Sequence, residues 1–397
     1  MSLAPLRTRL PSLSSRALNK ASLDTTSTAS SRRLQAVSSH LFSAPLSRPH
    51  PQQPGSPFTS VRTMSSVPST MKAIVVPQNG GPEVLQYSES HPVPQLSDGQ
   101  VLIKNNVSGV NFIDTYFRTG LYPAPAGFPM ILGQEAAGTI AKIEGSNPLG
   151  FKEGDRVVWI FRGGYAEYTA VPADRVVKIP AEVSDEHAVG GFLMGMTALS
   201  LVQEAYPAKK GDTILVHAAA GGMGLLLCQI LRDMGVTVIG TAGGPEKCAL
   251  AKENGATHVI DYKATGGPSW VEQVLKLTGG KGVDCTYDGV GKDTWEGDLE
   301  VAKRKSKVVY FGNASGPVPP LNIAKLSAKN VSIMRSTLMN YILTREELEF
   351  YANGVLDLIK AGKLNIRIHK VYPLKDAAQP HKDLEGRKTT GKLLLKI

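Results

Sequence analysis

The chain has 397 residues, 42% of them hydrophobic and 20% charged, which is enough for two domains with sizeable cores and is the composition of a globular protein. Its formal charge of +10 suggests an anionic partner, but residues 1–70 hold eight basic residues and one acid, so they carry +7 and leave only +3 for the rest, which argues against a nucleic-acid surface. Three widely spaced cysteines (Cys228, Cys248 and Cys285) exclude a disulfide framework and a structural zinc site and point to a reducing compartment, and no stretch reaches the roughly 20 apolar residues that span a bilayer, so no membrane insertion is expected.

The first 70 residues are rich in Ser, Thr, Arg, Leu and Ala, nearly free of acids, and later Pro-rich. This is the composition of a mitochondrial targeting segment, or of a plain disordered tail. The targeting reading places the protein in the mitochondrial matrix, while initiation at Met64 or Met71 would give a cytosolic form. From Met71 the pattern changes. Residues 72–76 read as a strand, followed by strands at 101–107, 138–143, 156–160 and 165–171 between Gly, Pro and Asp turns, which describes a β-rich module. A long helix is expected at 185–205. From residue 212 the rhythm alternates: strands at 213–218, 236–240, 258–261, 283–287 and 307–311 are separated by helices at 222–234, 245–254, 269–278 and 293–302. In the first of these helices Leu227, Ile230, Leu231 and Met234 recur at i, i+3, i+4 and i+7. Apolar strands alternating with helices predict an α/β fold with a doubly wound parallel sheet covered on both faces. Helices at 345–361 and near 377–384 and a strand at 392–396 close the chain.

The strongest local signal is Ala218-Ala219-Ala220-Gly221-Gly222-Met223-Gly224, which follows a buried strand and opens an amphipathic helix. Gly221 lets the backbone approach a pyrophosphate and Gly224 permits close helix–sheet packing. The amides from Ala220 through Gly222 and Met223 supply donors at a helix N-terminus. Ala219 stands where the usual fingerprint has its first glycine. The second strand ends Gly240-Thr241-Ala242-Gly243-Gly244, with no acid for a ribose 2′-hydroxyl, and Lys247 follows. A missing carboxylate removes repulsion toward a 2′-phosphate and a lysine attracts it, so NADPH is the expected cofactor. The bland alternative is a tight turn in an α/β protein that binds no dinucleotide, with Lys247 a solvated helix residue. His217 is expected to be buried and hydrogen-bonded, and Cys228 and Cys285 to be inert core residues.

The runs GVNFIDTY (109–116), LGQEAAG (132–138), GDRV (154–157) and GGYAEY (163–168), with the AAAGGMG turn and Phe311-Gly312-Asn313, carry a family resemblance over residues 72–397. The chain resembles the quinone oxidoreductases related to ζ-crystallin, the zinc-free branch of the medium-chain dehydrogenases/reductases. The resemblance implies a GroES-like β-rich catalytic domain at 71–195, a Rossmann NADPH-binding domain at 196–334, and a return to the catalytic domain at 335–397. It also implies homodimers or higher oligomers. Zinc-dependent members carry a histidine where Gln134 stands, so no metal is expected. The resemblance adds Asn111, Thr197, Tyr262, Phe311 with Gly312, and Arg387 as cofactor contacts, Arg387 facing the 2′-phosphate with Lys247 and Gly243 beside them. The implied activity is transfer of reducing equivalents from NADPH to quinones. Asn111, Tyr116 and Tyr122 are the catalytic candidates, the tyrosines donating to a quinone oxygen or stacking on its ring. Two rivals stay open: NADPH-dependent reduction of an enal or enone double bond, and an AU-rich RNA-binding or structural crystallin-type role, for which nucleic acid is implied by the resemblance alone.

Overall fold

The structure, a computed structural model, describes residues 67–397, so the expected targeting segment lies outside the described residues up to residue 66. Strands β1 (Thr70–Val76), β2 (Gln86–Pro92) and β3 (Gln100–Val110) lead into helix α1 (Phe112–Thr119). Then come β4 (Met130–Ile131), β5 (Glu135–Ile143), β6 (Arg156–Ile160), β7 (Tyr168–Pro172) and β8 (Val176–Lys178). These strands divide between two sheets, one of three strands in the order β2-β1-β4 and one completed from the far end of the chain. Along β3 the buried Val101, Leu102, Ile103 and Val107 pack on both faces, because β5 and β7 pair with its two edges and other elements cover it.

Helix α2 (Asp185–Ser200) follows, prolonged by a π turn at Leu201–Ala205. By length and composition the stretch Asp185–Ala205 could cross a membrane, which corrects the expectation of no such stretch, but 78% of its most apolar window is buried inside the fold. That makes it a core helix. The alternation then runs β9 (Thr213–Val216), α3 (Gly222–Asp233), β10 (Thr237–Ala242), α4 (Pro245–Glu253), β11 (His258–Asp261) and α5 (Trp270–Leu277). It continues with β12 (Val283–Asp288), α6 (Trp295–Val301), β13 (Ala302–Tyr310) and β14 (Ser332–Arg335). All neighbouring pairs in this six-stranded sheet are parallel, in the order β11-β10-β9-β12-β13-β14. This is the doubly wound order of a Rossmann sheet, with its switch point between β9 and β12.

Helix α7 (Arg345–Lys360), strand β15 (Ile368–Pro373), helix α8 (Ala378–Glu385) and strand β16 (Lys392–Lys396) return the chain to the first module. There β16 pairs antiparallel with β3 and parallel with β15. The expected boundaries at 195–196 and 334–335 fall inside α2 and β14, so the two modules share elements at the seam. Helix α2 lies against α7: a Cβ on Gly195 would come within 2.8 Å of Val355, so glycine there sets the helix spacing. Sequence reading left α1, β2, β4, β8, β14 and β15 without assignments. It also ran the helix at 293–302 into what is the start of β13.

Candidate active site

Strand β9 is buried from Ile214 to Val216, and the turn after it must reverse into α3 within a few residues. Ala218 takes a left-handed backbone (φ 50°) to do so. Gly224 allows the helix to start against the strand: a Cβ there would lie 2.3 Å from the Ala218 carbonyl oxygen. Gly222 is fixed similarly, since a Cβ would meet Met194 Sδ at 2.6 Å, and Gly221 bridges to Gly391 ahead of β16. No side chain caps α3, so its first amides keep donor capacity for an anion. Met223 points into the main core.

A cavity of about 290 Å3 opens over this turn, with Ala220, Gly221 and Gly243 in its wall. At one end stand Lys247, Tyr262 and Arg387. Lys247 Nζ donates to the Arg387 carbonyl oxygen at 2.7 Å, holding a residue whose backbone is left-handed (φ 55°). Partial burial, with Lys263 nearby, lowers the Lys247 pKa, the signature of a cation lacking a counter-charge. Arg387 Nη2 reaches Asp293 Oδ2 at 3.0 Å, and both side chains are about half exposed. Beyond β10, one oxygen of Asp261, Oδ1, accepts from the amides of Gly244 (2.8 Å) and Lys263 (2.9 Å). Tyr262 packs over Gly243, where a Cβ would come 2.7 Å from its hydroxyl.

The cavity floor holds His217, which the sequence places as a buried, bonded residue, and so it is. Its Nδ1 is 2.9 Å from Thr241 Oγ1 and its Nε2 2.8 Å from Asp298 Oδ1, with Trp270 edge-on at 4.9 Å. Burial opposes a charge on His217, but the adjoining Asp298 outweighs it and raises the pKa. Burial pushes the Asp298 carboxyl up to about 7.

Asn111 caps α1 and sits in a buried ionic network. Its Nδ2 donates to Glu135 Oε1 (2.9 Å) and its Oδ1 accepts from Lys392 Nζ (2.6 Å). Lys392 and Glu135 form an ion pair at 2.6 Å with almost no solvent exposure, and Glu135 Oε2 accepts the Leu193 amide of α2. One Asn111 N–H therefore remains for another partner. Below it, Asp114 accepts from the Asn111 and Gly133 amides and the Tyr165 hydroxyl, while burial pushes its carboxyl up to about 7.

One turn on, Tyr116 and Tyr122 meet edge-to-face at 5.2 Å. The Tyr116 hydroxyl accepts the Asn313 amide at 2.8 Å, and Tyr122 accepts from Arg335 Nη2 at 2.9 Å. Asn313 and Arg335 belong to the Rossmann half, so the tyrosine pair sits at the seam. Both hydroxyls accept here and keep their own protons to donate. Burial pushes the Tyr116 hydroxyl up to about 12. Phe311 packs against the main core, and Gly312 lies so near Gly289 that a Cβ would be 2.5 Å from its carbonyl oxygen. Thr197 bonds the Leu193 carbonyl within α2 and does not line the cavity.

Two family models match, "Alcohol dehydrogenase GroES-like domain" over residues 97–181 and "Zinc-binding dehydrogenase" over 222–353. A quinone oxidoreductase of Pseudomonas aeruginosa is 41% identical over 319 residues, covering 80% of this chain and 96% of that protein. The chain belongs to the quinone oxidoreductase family, within the medium-chain dehydrogenase/reductase superfamily. A 2-haloacrylate reductase of Burkholderia is 36% identical over 331 residues, 81% of this chain and 98% of that protein. Among solved structures, Escherichia coli quinone oxidoreductase complexed with NADPH superposes with a TM-score of 0.78 at 40% identity, covering 82% of this chain and all of that one. The second model's description mentions zinc; among the described residues no group of three or more His, Cys, Asp or Glu is arranged to hold a metal ion.

Sequence reasoning missed Glu135, Lys392, Asn313 and Arg335. Glu135 and Asn313 lay inside runs already singled out, so a test for buried charge could have flagged Glu135. Lys392 and Arg335 carry no local signal, since their partners lie 257 and 213 residues away.

Proposed function

We propose that the protein is an NADPH-dependent reductase of quinones. The observation that carries this reading is the pairing of Lys247 with Arg387 beside a glycine turn that opens a helix with no side-chain cap, at the end of a strand, β10, that carries no carboxylate. The residues fit the cofactor: glycines at 221, 222 and 224 leave the backbone bare, Tyr262 offers a ring beside Gly243, and the cations stand at one end. The complex of the E. coli relative with NADPH supports the same assignment. When bound, NADPH supplies the hydride. Gly221, Gly222 and Met223 would hold the pyrophosphate, and Lys247 and Arg387 the 2′-phosphate. The chain's own catalytic part is modest, because a quinone accepts electrons readily. Tyr116 and Tyr122 donate their free hydroxyl protons as hydrogen bonds to the acceptor's oxygen as charge develops there, and Asn111 offers its remaining N–H.

The test is oxidation of NADPH and of NADH by the full chain with 1,2-naphthoquinone. NADPH turnover well above NADH turnover is expected, and no turnover of any quinone would refute the proposal. A second reading, reduction of a conjugated carbon–carbon double bond, draws support from the 2-haloacrylate reductase relative and is separated by assaying alkenals and acrylates in the same way. We further propose a homodimer formed along β14. That strand is an unpaired edge carrying the exposed Ile333, with Ile323 (77% exposed) and Leu343 (67%) also left in solvent. Sedimentation of the wild type as a monomer would rule this out.

A further inference from the structure

A second cavity, also of about 290 Å3, lies in the β-rich module, separate from the one over the glycine turn. Phe117, Leu132 and Ala126 supply apolar wall, and His91, Gln134 and Arg162 supply polar groups. The polar groups share one property: among the described residues none of their side chains has a hydrogen-bond or ion-pair partner. Arg162 is exposed and only stacks on Phe161, its guanidinium 5.1 Å from the ring centroid. Gln134 is half-buried with both amide atoms unspent. An apolar slot with a few convergent, unsatisfied polar groups is the usual form of a small-molecule site. The cavity also abuts the catalytic cluster. Phe117 meets Tyr122 edge-on at 5.9 Å, and Gln134 directly precedes Glu135, the residue that holds Asn111.

We propose that this second cavity seats the electron acceptor, and that Arg162 makes it favour conjugated carbonyl compounds bearing an anionic group, a carboxylate or a sulfonate. The inference rests on the reductase reading above and names its acceptor class. The ring lies on Phe117 and Leu132, the acceptor's carbonyl oxygen accepts from Gln134 Nε2, and the anionic substituent pairs with Arg162. A quinone there gains a hydride from the reduced nucleotide and a proton from water, becoming the hydroquinone, while the nucleotide leaves oxidised. Gln134 adds its N–H to the donors that Tyr116, Tyr122 and Asn111 offer the acceptor's oxygen as charge develops there between those two events. An exposed cation with no counter-charge among the described residues loses little on pairing with a ligand anion, so the preference should be modest, about fivefold, at the upper range for an exposed ion pair.

The test begins with direct binding to the full chain, nucleotide cavity blocked by NADP+, of two non-reducible probes, naphthalene-2-sulfonate and neutral 2-naphthol, followed by calorimetry. The sulfonate should bind about fivefold tighter. Arg162→Leu should erase that difference, and Ala126→Trp, a loop substitution that fills the cavity, should abolish binding of both, with NADPH affinity as the control for folding. In turnover, kcat/KM for 1,2-naphthoquinone-4-sulfonate over 1,2-naphthoquinone should follow the same pattern, and the sulfonate probe should compete with quinone. Equal affinity for the two probes in wild type overturns the anion preference. Unchanged quinone turnover in Ala126→Trp, or a probe that binds without competing, overturns the acceptor site while leaving the reductase reading intact. Failure of the wild type to reduce any quinone sinks that reading instead, and the probe titrations still decide whether the cavity is a ligand site.

Discussion

Removal of the Lys247 side chain tests the nucleotide end of the site most directly. Lys247 is half-buried and has three donors, so it can keep its 2.7 Å bond to the Arg387 carbonyl and still reach a phosphate oxygen. Lys247→Ala should therefore forfeit one charge-assisted hydrogen bond, about 1.5–3 kcal/mol, which raises the NADPH Kd about 10- to 150-fold. Arg387 is different. Its guanidinium is already engaged with Asp293 at 3.0 Å, and a phosphate must compete with that half-exposed pair, itself worth about 0–1 kcal/mol. Arg387→Ala should accordingly cost less, about 2- to 30-fold in NADPH affinity. Asp293→Asn should go the other way, since it frees Arg387, tightening NADPH by up to about fivefold. NADH lacks the 2′-phosphate, so its affinity should change little in all three variants. The assay is titration of nucleotide fluorescence with each variant. Equal weakening of NADPH and NADH by Lys247→Ala, or weaker NADPH binding by Asp293→Asn, would show that these residues do not read the phosphate.

Because burial holds the Tyr116 hydroxyl near 12, its proton stays in place at working pH and is lost only as pH rises through that value. The kcat profile should thus show no descending limb from this group between pH 6 and about 10, and Tyr116→Phe should lower kcat about tenfold without reshaping it; an alkaline limb that the variant abolishes would contradict this. Lys392→Met strands the Glu135 carboxylate in the core and should cost about 3–5 kcal/mol in urea unfolding, part of which Glu135→Gln in the same chain should restore. A stability loss of the single variant below about 1 kcal/mol would mean the pair is solvated. Gly224→Ala forces a methyl group to within 2.3 Å of a carbonyl oxygen, and its thermal melt should show a loss of about 1–3 kcal/mol; a melt like the wild type's would show that the turn can yield. Residues 1–70 fused to a fluorescent protein should carry it into mitochondria, and a diffuse cytosolic signal would refute the targeting reading.

The nucleotide half was legible because its signals are local. A buried strand, a glycine turn and the amphipathic helix of Leu227, Ile230, Leu231 and Met234 are neighbours in sequence and remain neighbours in the fold. The absence of an acid after β10 and the presence of Lys247 could be read in the same way, and so could Tyr116 in α1 and Tyr122 just beyond it once the family resemblance placed them. Tertiary structure alone decided what those residues do. Lys392 meets Glu135 and Asn111 only because β16 returns to pair with β3, and Tyr116 and Tyr122 find Asn313 and Arg335 only where the two modules close on one another. The physical reason is range. Periodicity and turn chemistry are fixed by residues a few positions apart, whereas the charge balance of a buried site depends on which distant segments the folded sheet brings within about 3 Å of each other.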